Sequence, residues 1–190
     1  MRYLKAFSQT LLEFTISAAL YMGLFYFNQY ITQPFEIGMG VNWIFLPAGV
    51  RIFVTLIFNY SGAIGLAIAS LLINHIGFYE LDLTSTLGMA IICGIAPLLG
   101  RQFVIHNLKV QADLSNISIK QLLIIITIYS LLSSGLHQIW FVARDLDSGS
   151  WNHFLAMFCG DVVGSILFVA LIKYGIDLVK GQLGRNNLIE

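Results

Sequence analysis

Three ionisable residues lie inside long apolar stretches of the sequence: Glu13, Arg51 and Asp161. A charge in a bilayer costs about 2.5–3.5 kcal/mol on insertion scales, so such residues are functional candidates by default. Arg51 and Asp161 each lie nine residues from the start of their stretches, at Asn42 and Asn152. At about 1.5 Å per helical residue, both lie roughly 14 Å deep. Equal depth predicts a buried ion pair or, alternatively, a ligand-facing or gating role for the two; separate snorkelling of each side chain is the third alternative.

A proline begins the run from Pro47 to Gly49, one turn before Arg51. Proline disfavours helix at the residue before it and suits the first helical turn. Two hypotheses stay open: a plain proline kink, or an extended start over Asn42–Leu46 with the helix beginning at Pro47. A helix start in the bilayer would present free N–H groups and a positive dipole end. With Arg51 nearby, this site would favour an anion, either Asp161 or a ligand carboxylate or phosphate.

The histidines raise the question of a metal. His75, His137 and His153 all fall near the outer ends of apolar stretches, and imidazoles ligate zinc, copper and haem iron. They come from three separate stretches without short-range ligand spacing, so we predict no metal site and keep these three as a weak alternative. The sequence identifies no cofactor.

Catalytic motifs are missing from the sequence. It contains no G-x-S-x-G, H-E-x-x-H or C-x-x-C pattern and no phosphate-binding loop. We therefore predict a protein that is not an enzyme and has no catalytic residues. Glu13 has three open alternatives: reaching the headgroups, pairing with a neighbour, or staying protonated.

The amino-acid composition indicates the class of protein in which these residues lie. Of 190 residues, 57% are hydrophobic and 11% charged, against about 45–50% and about 25% in soluble domains. So few charges exclude a water-soluble domain. Ten basic and ten acidic residues leave no basic excess for binding nucleic acid. We predict an integral membrane protein with one domain, residues 1–190, whose first partner is the lipid bilayer.

Six stretches are long and apolar enough to cross a bilayer, which takes about 17–25 residues. They are Ala6–Tyr26, Asn42–Phe58, Gly62–Tyr79, Thr84–Gly100, Gln121–Phe141 and Asn152–Ile172. The sequence therefore predicts an all-α bundle of six transmembrane helices.

Lysine and arginine set the orientation, because they favour the cytoplasmic side. With the N-terminus inside, the outer loops hold only Arg144. The inner segments hold Arg2, Lys5, Arg101, Lys109, Lys120, Lys173, Lys180 and Arg185, whereas the outer loops carry Glu36, Glu80, Asp82, Asp145 and Asp147. Both termini are therefore predicted to be cytoplasmic.

Small residues at four-residue spacing predict close helix packing. They are Gly65 and Ala69 in the third stretch, Gly160 and Gly164 in the sixth, and Ala19 and Gly23 in the first. Contacts within the bundle are one interpretation, and docking of a partner helix on the first stretch is the other. Arg101–Ser118, with Phe103, Ile105, Leu108 and Leu114 among charges, predicts an amphipathic cytoplasmic surface for a partner or the lipid interface.

Three segments in order carry a family resemblance. Asn42–Leu56 (NWIFLPAGVRIFVTL) resembles the W-x-P-[AS]-G-x-x-x-A signature of the first membrane-associated sensor domain family. Ser61–His75 is similar to that family's G-x-x-x-G-A-x-x-A-N-type helix. Trp151–Leu167, with Phe158, Gly160, Asp161 and Gly164, is similar to its closing helix. The resemblance covers roughly residues 40–178.

The resemblance implies a bacterial inner-membrane sensory module. Members of that family usually precede a histidine kinase or a cyclic-dinucleotide enzyme. This chain is shorter than the usual eight-helix form and ends after the sixth stretch, so a signal would leave through a partner protein. Two alternatives remain. One is a substrate-binding subunit of an energy-coupling-factor vitamin transporter, which is similar in architecture only. The other is a small scaffold subunit of a larger membrane complex.

Overall fold

The protein is helical along most of its length. The structure, a computed structural model, describes residues 2–38, 40–77, 79, 81–108 and 117–186. Its helices are α1 (Arg2–Thr32), α2 (Pro47–Phe58), α3 (Tyr60–Leu72), α4 (Leu83–Asn107), α5 (Ile119–Ala143) and α6 (Trp151–Asn186). Strands β1 (Glu36–Gly38) and β2 (Val41–Asn42) form an antiparallel hairpin between α1 and α2.

Four helices are long and apolar enough to span a membrane: α1, α4, α5 and α6. The prediction of a helical, multi-pass membrane protein is therefore confirmed at this level. The second and third predicted stretches do not form single helices of spanning length, since α2 has 12 residues and α3 has 13. The second stretch begins with non-helical chain, and the third ends in a π-helical turn, Ile73–Gly77.

Helix α2 lies at the centre of the bundle. It contacts all five other helices, while α1, α3, α4, α5 and α6 are neighbours in that order around it. Nine of its twelve residues are buried, including Arg51. With neighbours on most sides, α2 keeps most of its surface inside the protein, including Arg51, and leaves Phe53 and Ile57 exposed.

Residues 43–46, which we call the non-helical segment, lead from the hairpin into α2. Each of their backbone N–H groups has an acceptor. Trp43 donates to the Phe35 carbonyl, Ile44 to Asn42 Oδ1, Phe45 to the Gly160 carbonyl and Leu46 to Asn28 Oδ1, all at 2.9–3.2 Å. Non-helical backbone at membrane depth is tolerated only where protein satisfies it. Helices α1 and α6 do so here.

The start of α2 agrees with one of the two hypotheses for Pro47 and differs in one detail. The helix begins at Pro47 after non-helical chain, as the extended-start hypothesis predicts. Leu46, however, has helical angles of φ −53° and ψ −35°, against the expectation for a residue before proline. Its N–H is held by Asn28 and its carbonyl accepts from Gly49, so local hydrogen bonds outweigh the steric preference.

The glycines of α6 pack against backbone. A methyl group on Gly160 would overlap the Asn42 carbonyl, and one on Gly164 would overlap the Phe45 carbonyl. The predicted close contact is present, but its partner is the non-helical segment and not a helix. On α3, Gly65 lies against Phe14 and Ser17 of α1 and Ala69 is fully buried, as contacts within the bundle require.

Two surfaces differ in the structure from what the sequence predicts. Gly23 has no atom within 4 Å of its open side, so the small residues of α1 make no close helix contact there in the described chain. The predicted amphipathic stretch Arg101–Ser118 is not one separate element, because its first seven residues continue α4 to Asn107. Lys109 and Leu114 of that stretch, and Glu80 of the outer loops, lie outside the described residues.

Candidate functional site

Arg51 is buried in the bundle with only 5% of its surface exposed. Its Nη1 lies 3.4 Å from the Tyr129 hydroxyl and 3.5 Å from Ser133 Oγ, and its Nη2 donates to the Tyr21 hydroxyl. The guanidinium carbon lies 5.0 Å from the ring centroid of Tyr21 and 5.1 Å from that of Phe45, within the range of cation–π attraction. Neutral hydroxyls and aromatic rings therefore hold this charge.

Asp161 is fully buried on α6 and interacts electrostatically with Arg51. A direct ion pair is not formed: among the described residues, only Arg144 and Asp82 approach within 4.0 Å as opposite charges. The Ser133 hydroxyl lies 3.5 Å from Arg51 Nη1, and α5, which carries it, packs against α6, which carries Asp161. We call Arg51 and Asp161 the Arg51–Asp161 pair. The equal depth inferred from the sequence brings the two charges into one site without contact.

Several buried polar atoms near this pair have no hydrogen-bond partner in the described chain. They are Arg51 Nε, both carboxylate oxygens of Asp161, and the hydroxyls of Ser130, Ser134 and Ser165. An unsatisfied buried donor or acceptor costs about 1–3 kcal/mol, and more when charged. The protein therefore leaves hydrogen-bonding capacity that water or a ligand can use.

A cavity of about 30 Å³ extends from Arg51 towards the outer hairpin, with room for about two water molecules. We call it the Arg51 cavity. It is lined by Tyr21, Phe25, Gly40, Phe45, Arg51, Ser70, Ile73, Asn74, Tyr79, Met89, His137, Phe141 and Met157. Arg51 supplies the charge at its inner end, and Gly40 and Tyr79 lie at its outer end. Helices α1 to α6 and the hairpin all contribute to its wall.

Comparisons of the chain with protein-family models, with curated proteins and with solved structures find no match. The function is therefore inferred from the Arg51 cavity and from the residues around it.

The start of α2 does not supply the free N–H groups that the sequence predicted. Asn28 Oδ1 accepts from Leu46, the Phe45 carbonyl accepts from Ala48 at 3.1 Å, and the Leu46 carbonyl accepts from Gly49 at 3.0 Å. Pro47 has no N–H to offer. The Arg51 side chain, and not the helix terminus, is therefore the donor available to a ligand. Gly49 serves packing, since a methyl group there would overlap Phe168.

His137 belongs to the cavity, which the sequence analysis missed. It is 3% exposed, and its Nδ1 lies 2.8 Å from the Ser133 carbonyl. A carbonyl only accepts, so Nδ1 carries the proton and Nε2 holds the lone pair in the neutral ring. The signal was present in the spacing, because Tyr129, Ser133 and His137 follow at four-residue intervals and share one face of α5. Ser70 of α3 and Asn74 of the π-helical turn repeat that spacing.

The other candidate residues lie away from the cavity. His75 contacts the Leu81 carbonyl, and His153 contacts the Ile37 carbonyl, each at 3.1 Å. In the described part of the chain, no three His, Cys, Asp or Glu side chains are arranged to hold a metal. Glu13 accepts from Ser61 at 2.6 Å and from Gln9 at 3.0 Å, which corresponds to the pairing alternative.

The start of α4 and the end of α5 are joined through Asp82. Its carboxylate caps α4 by accepting from the backbone of Thr84 and Ser85, and it pairs with Arg144 at 3.3 Å. Hydrogen bonds from Ser85 and the charge of Arg144 lower the pKa of Asp82 below its ordinary value. This contact joins the loop between α5 and α6 to α4.

Proposed function

We propose that this protein is a non-enzymatic sensory or ligand-binding module that binds a small polar ligand in the Arg51 cavity and signals through a partner protein. One observation carries the proposal. Arg51 is a buried cation that lines a cavity and contacts no carboxylate among the described residues. A buried charge is costly unless it is paired, so a site of this kind favours a ligand that completes the pairing.

The proposed setting is a bacterial inner membrane crossed six times, with both termini cytoplasmic. Helix α2 supplies roughly 18 Å, from 12 residues at about 1.5 Å each. The five residues 41–45 supply at most roughly 17 Å more at about 3.3 Å each. Together they exceed the bilayer core of about 30 Å. Helix α3 with its π-helical turn leads back outward, and the resemblance to the membrane-associated sensor family supports this setting.

Helix α6 is the proposed route of the signal. It carries Asp161 of the Arg51–Asp161 pair, and its 36 residues give a total length of roughly 54 Å, well beyond a core of about 30 Å. Its inner half exposes Leu171, Tyr174, Leu178 and Val179. A ligand that changes the balance of the Arg51–Asp161 pair acts directly on this helix, and the helix then presents the change to a partner.

The size of the cavity separates this proposal from the transporter alternative. Pockets that enclose drug-sized ligands measure about 300–1,000 Å³, whereas the Arg51 cavity measures about 30 Å³. A vitamin would require large opening of the bundle. A scaffold subunit would need no cavity with a buried cation.

Affinity purification from mild detergent, followed by mass spectrometry of proteins and small molecules, tests the proposal. We expect a kinase or nucleotide-cyclase-type partner, and a small ligand that is lost in Arg51→Gln and kept in the control Arg144→Gln. Recovery of an energy-coupling subunit with a vitamin would contradict the proposal. Stoichiometric recovery within a respiratory or secretion complex, without a ligand, would contradict it as well.

A further inference from the structure

The charges around the Arg51 cavity define the class of its ligand. Resting on the proposed function, we infer that the cavity binds a compact monovalent anion at Arg51 together with one proton, which Asp161 takes up. Three features support this ligand class: the donor groups of Arg51, the size of the cavity and the charge balance of the Arg51–Asp161 pair.

Arg51 has the donors that such an anion needs. Its Nε has no acceptor, and the two contacts of Nη1 with Tyr129 and Ser133 are long, at 3.4 and 3.5 Å. A guanidinium presents five N–H groups in a planar fork that matches carboxylates and other planar oxyanions. At about 30 Å³, the cavity fits formate, nitrate or a halide and excludes a lipid headgroup.

Charge balance requires a proton. Asp161 is the buried carboxylate of the Arg51–Asp161 pair and lies outside the lining of the cavity, so the empty site is neutral when both groups are ionised. An added anion would leave one net negative charge at membrane depth, and an uncompensated charge there is costly. Protonation of Asp161 restores neutrality, and its two oxygens accept no hydrogen bond from the described residues.

The other titratable groups around the pair do not replace Asp161 in this role. Tyr21 from α1 and Tyr129 from α5 contact Arg51 through their hydroxyl groups, and Cys93 from α4 is buried in the same apolar cluster. His137 from α5 already donates Nδ1–H to the Ser133 carbonyl, and a second proton on its ring would add a cation to the cavity that Arg51 already lines. Glu36 of β1 accepts from Gln29 and Gly40 at the outer end of the cavity.

Isothermal titration of the purified full chain with formate and with nitrate tests the inference. Titration in two buffers of different ionisation enthalpy counts the protons taken up. We expect one proton per anion, and affinity that falls about tenfold per pH unit wherever the empty site binds no proton and the occupied site binds one, as linkage to one proton requires. If formate and nitrate bind alike, the site recognises the charge and planar shape that they share and not a feature of formate alone.

Variants assign the roles. Asp161→Asn should bind the anion without proton uptake and with affinity independent of pH. Arg51→Gln should weaken binding about hundredfold or more, because the charged partner is lost. Glu13→Gln, a second intramembrane acid away from the cavity, should leave affinity and proton count unchanged. If Arg51→Gln does not fold, Arg51→Lys replaces it, and weaker binding with the proton count retained is expected.

The contradicting outcomes are distinct. Anion binding without a proton, or a proton count unchanged in Asp161→Asn, overturns the inference and leaves the proposed function intact. No binding of either anion, with a different small ligand retained through Arg51, also overturns only the inference. No anion binding and no ligand recovered by mass spectrometry overturns both.

Discussion

At the residue scale, the burial of Arg51 is explained by what surrounds it. Three hydroxyls and two aromatic faces take the place of water, and Asp161 supplies the opposite charge without contact. Each substitute is weaker than a direct ion pair, because neutral acceptors form shorter-range and weaker interactions than a carboxylate. Arg51 is thus held in place while part of its bonding capacity stays open to the cavity.

A double-mutant cycle tests the coupling of Arg51 and Asp161. Arg51→Met and Asp161→Asn should each lower the free energy of unfolding, by up to about 3–5 kcal/mol, because each strands the other charge. The double variant should recover part of the loss, with a coupling of about 0.5–3 kcal/mol. Thermal unfolding in detergent measures the four proteins. Strict additivity of the two losses would remove the pair from the account.

Asp82 gives a prediction about acid stability at the outer surface. Because its pKa is lowered in the folded protein, its stabilising contribution is present above the unfolded value of about 3.9 and is lost as the pH falls through the folded value. Asp82→Ala should therefore lower the melting temperature near neutral pH. The difference from the wild type should shrink as the pH falls below about 4. A constant difference across that range would contradict the capping role.

Sequence reasoning reached some of these residues and not others. Arg51 and Asp161 were found because a charge in an apolar stretch is conspicuous in the sequence itself. Tyr21 and Phe45 were not found, because aromatic side chains are common in membrane helices, and His137 was named only as a weak metal candidate. Their role depends on which faces meet, and tertiary packing decides that.

At the element scale, the non-helical segment organises the outer half of the bundle. It lies between α1, which satisfies it through Asn28, and α6, which contacts it at Gly160 and Gly164. The proline signal predicted where α2 begins, because it acts on adjacent residues. The G-x-x-x-G spacing predicted a close approach but not its partner. Glycine has no Cβ atom, so the backbone of a helix and the backbone of non-helical chain can both lie against it.

Gly164 tests this packing directly. A methyl group there would overlap the Phe45 carbonyl, so Gly164→Ala should displace the segment and cost about 1–3 kcal/mol, as overpacking does. The matched control on the same helix is Gly175→Ala, whose added methyl group meets nothing within 4 Å. Thermal unfolding should separate the two variants clearly. Equal melting temperatures would contradict the close contact between α6 and the segment.

At the scale of the whole molecule, composition and hydropathy predicted a membrane protein, and four helices are long and apolar enough to span. The central position of α2 could not be predicted, because a 12-residue helix has no length signal for a span and it packs against helices far away in the sequence, such as α6, as well as against α3. The orientation rests on lysine and arginine placement.

Single cysteines test the proposed orientation. In a background with Cys93 and Cys159 replaced by alanine, Asp147→Cys should react with an impermeant thiol reagent in intact cells, whereas Lys120→Cys should not. Both positions are exposed, so protection of Lys120→Cys would report sidedness and not burial. The reverse pattern of labelling would overturn the orientation.

The central claim is that Arg51 holds a ligand in the cavity, and anomalous scattering from bromide tests it most directly. Bromide is a compact monovalent anion whose position an experimental structure of the protein grown or soaked in that salt can locate. The account predicts an anomalous peak inside the cavity, beside the Arg51 guanidinium and absent in Arg51→Gln. An empty cavity with Arg51 in direct contact with Asp161 would contradict it.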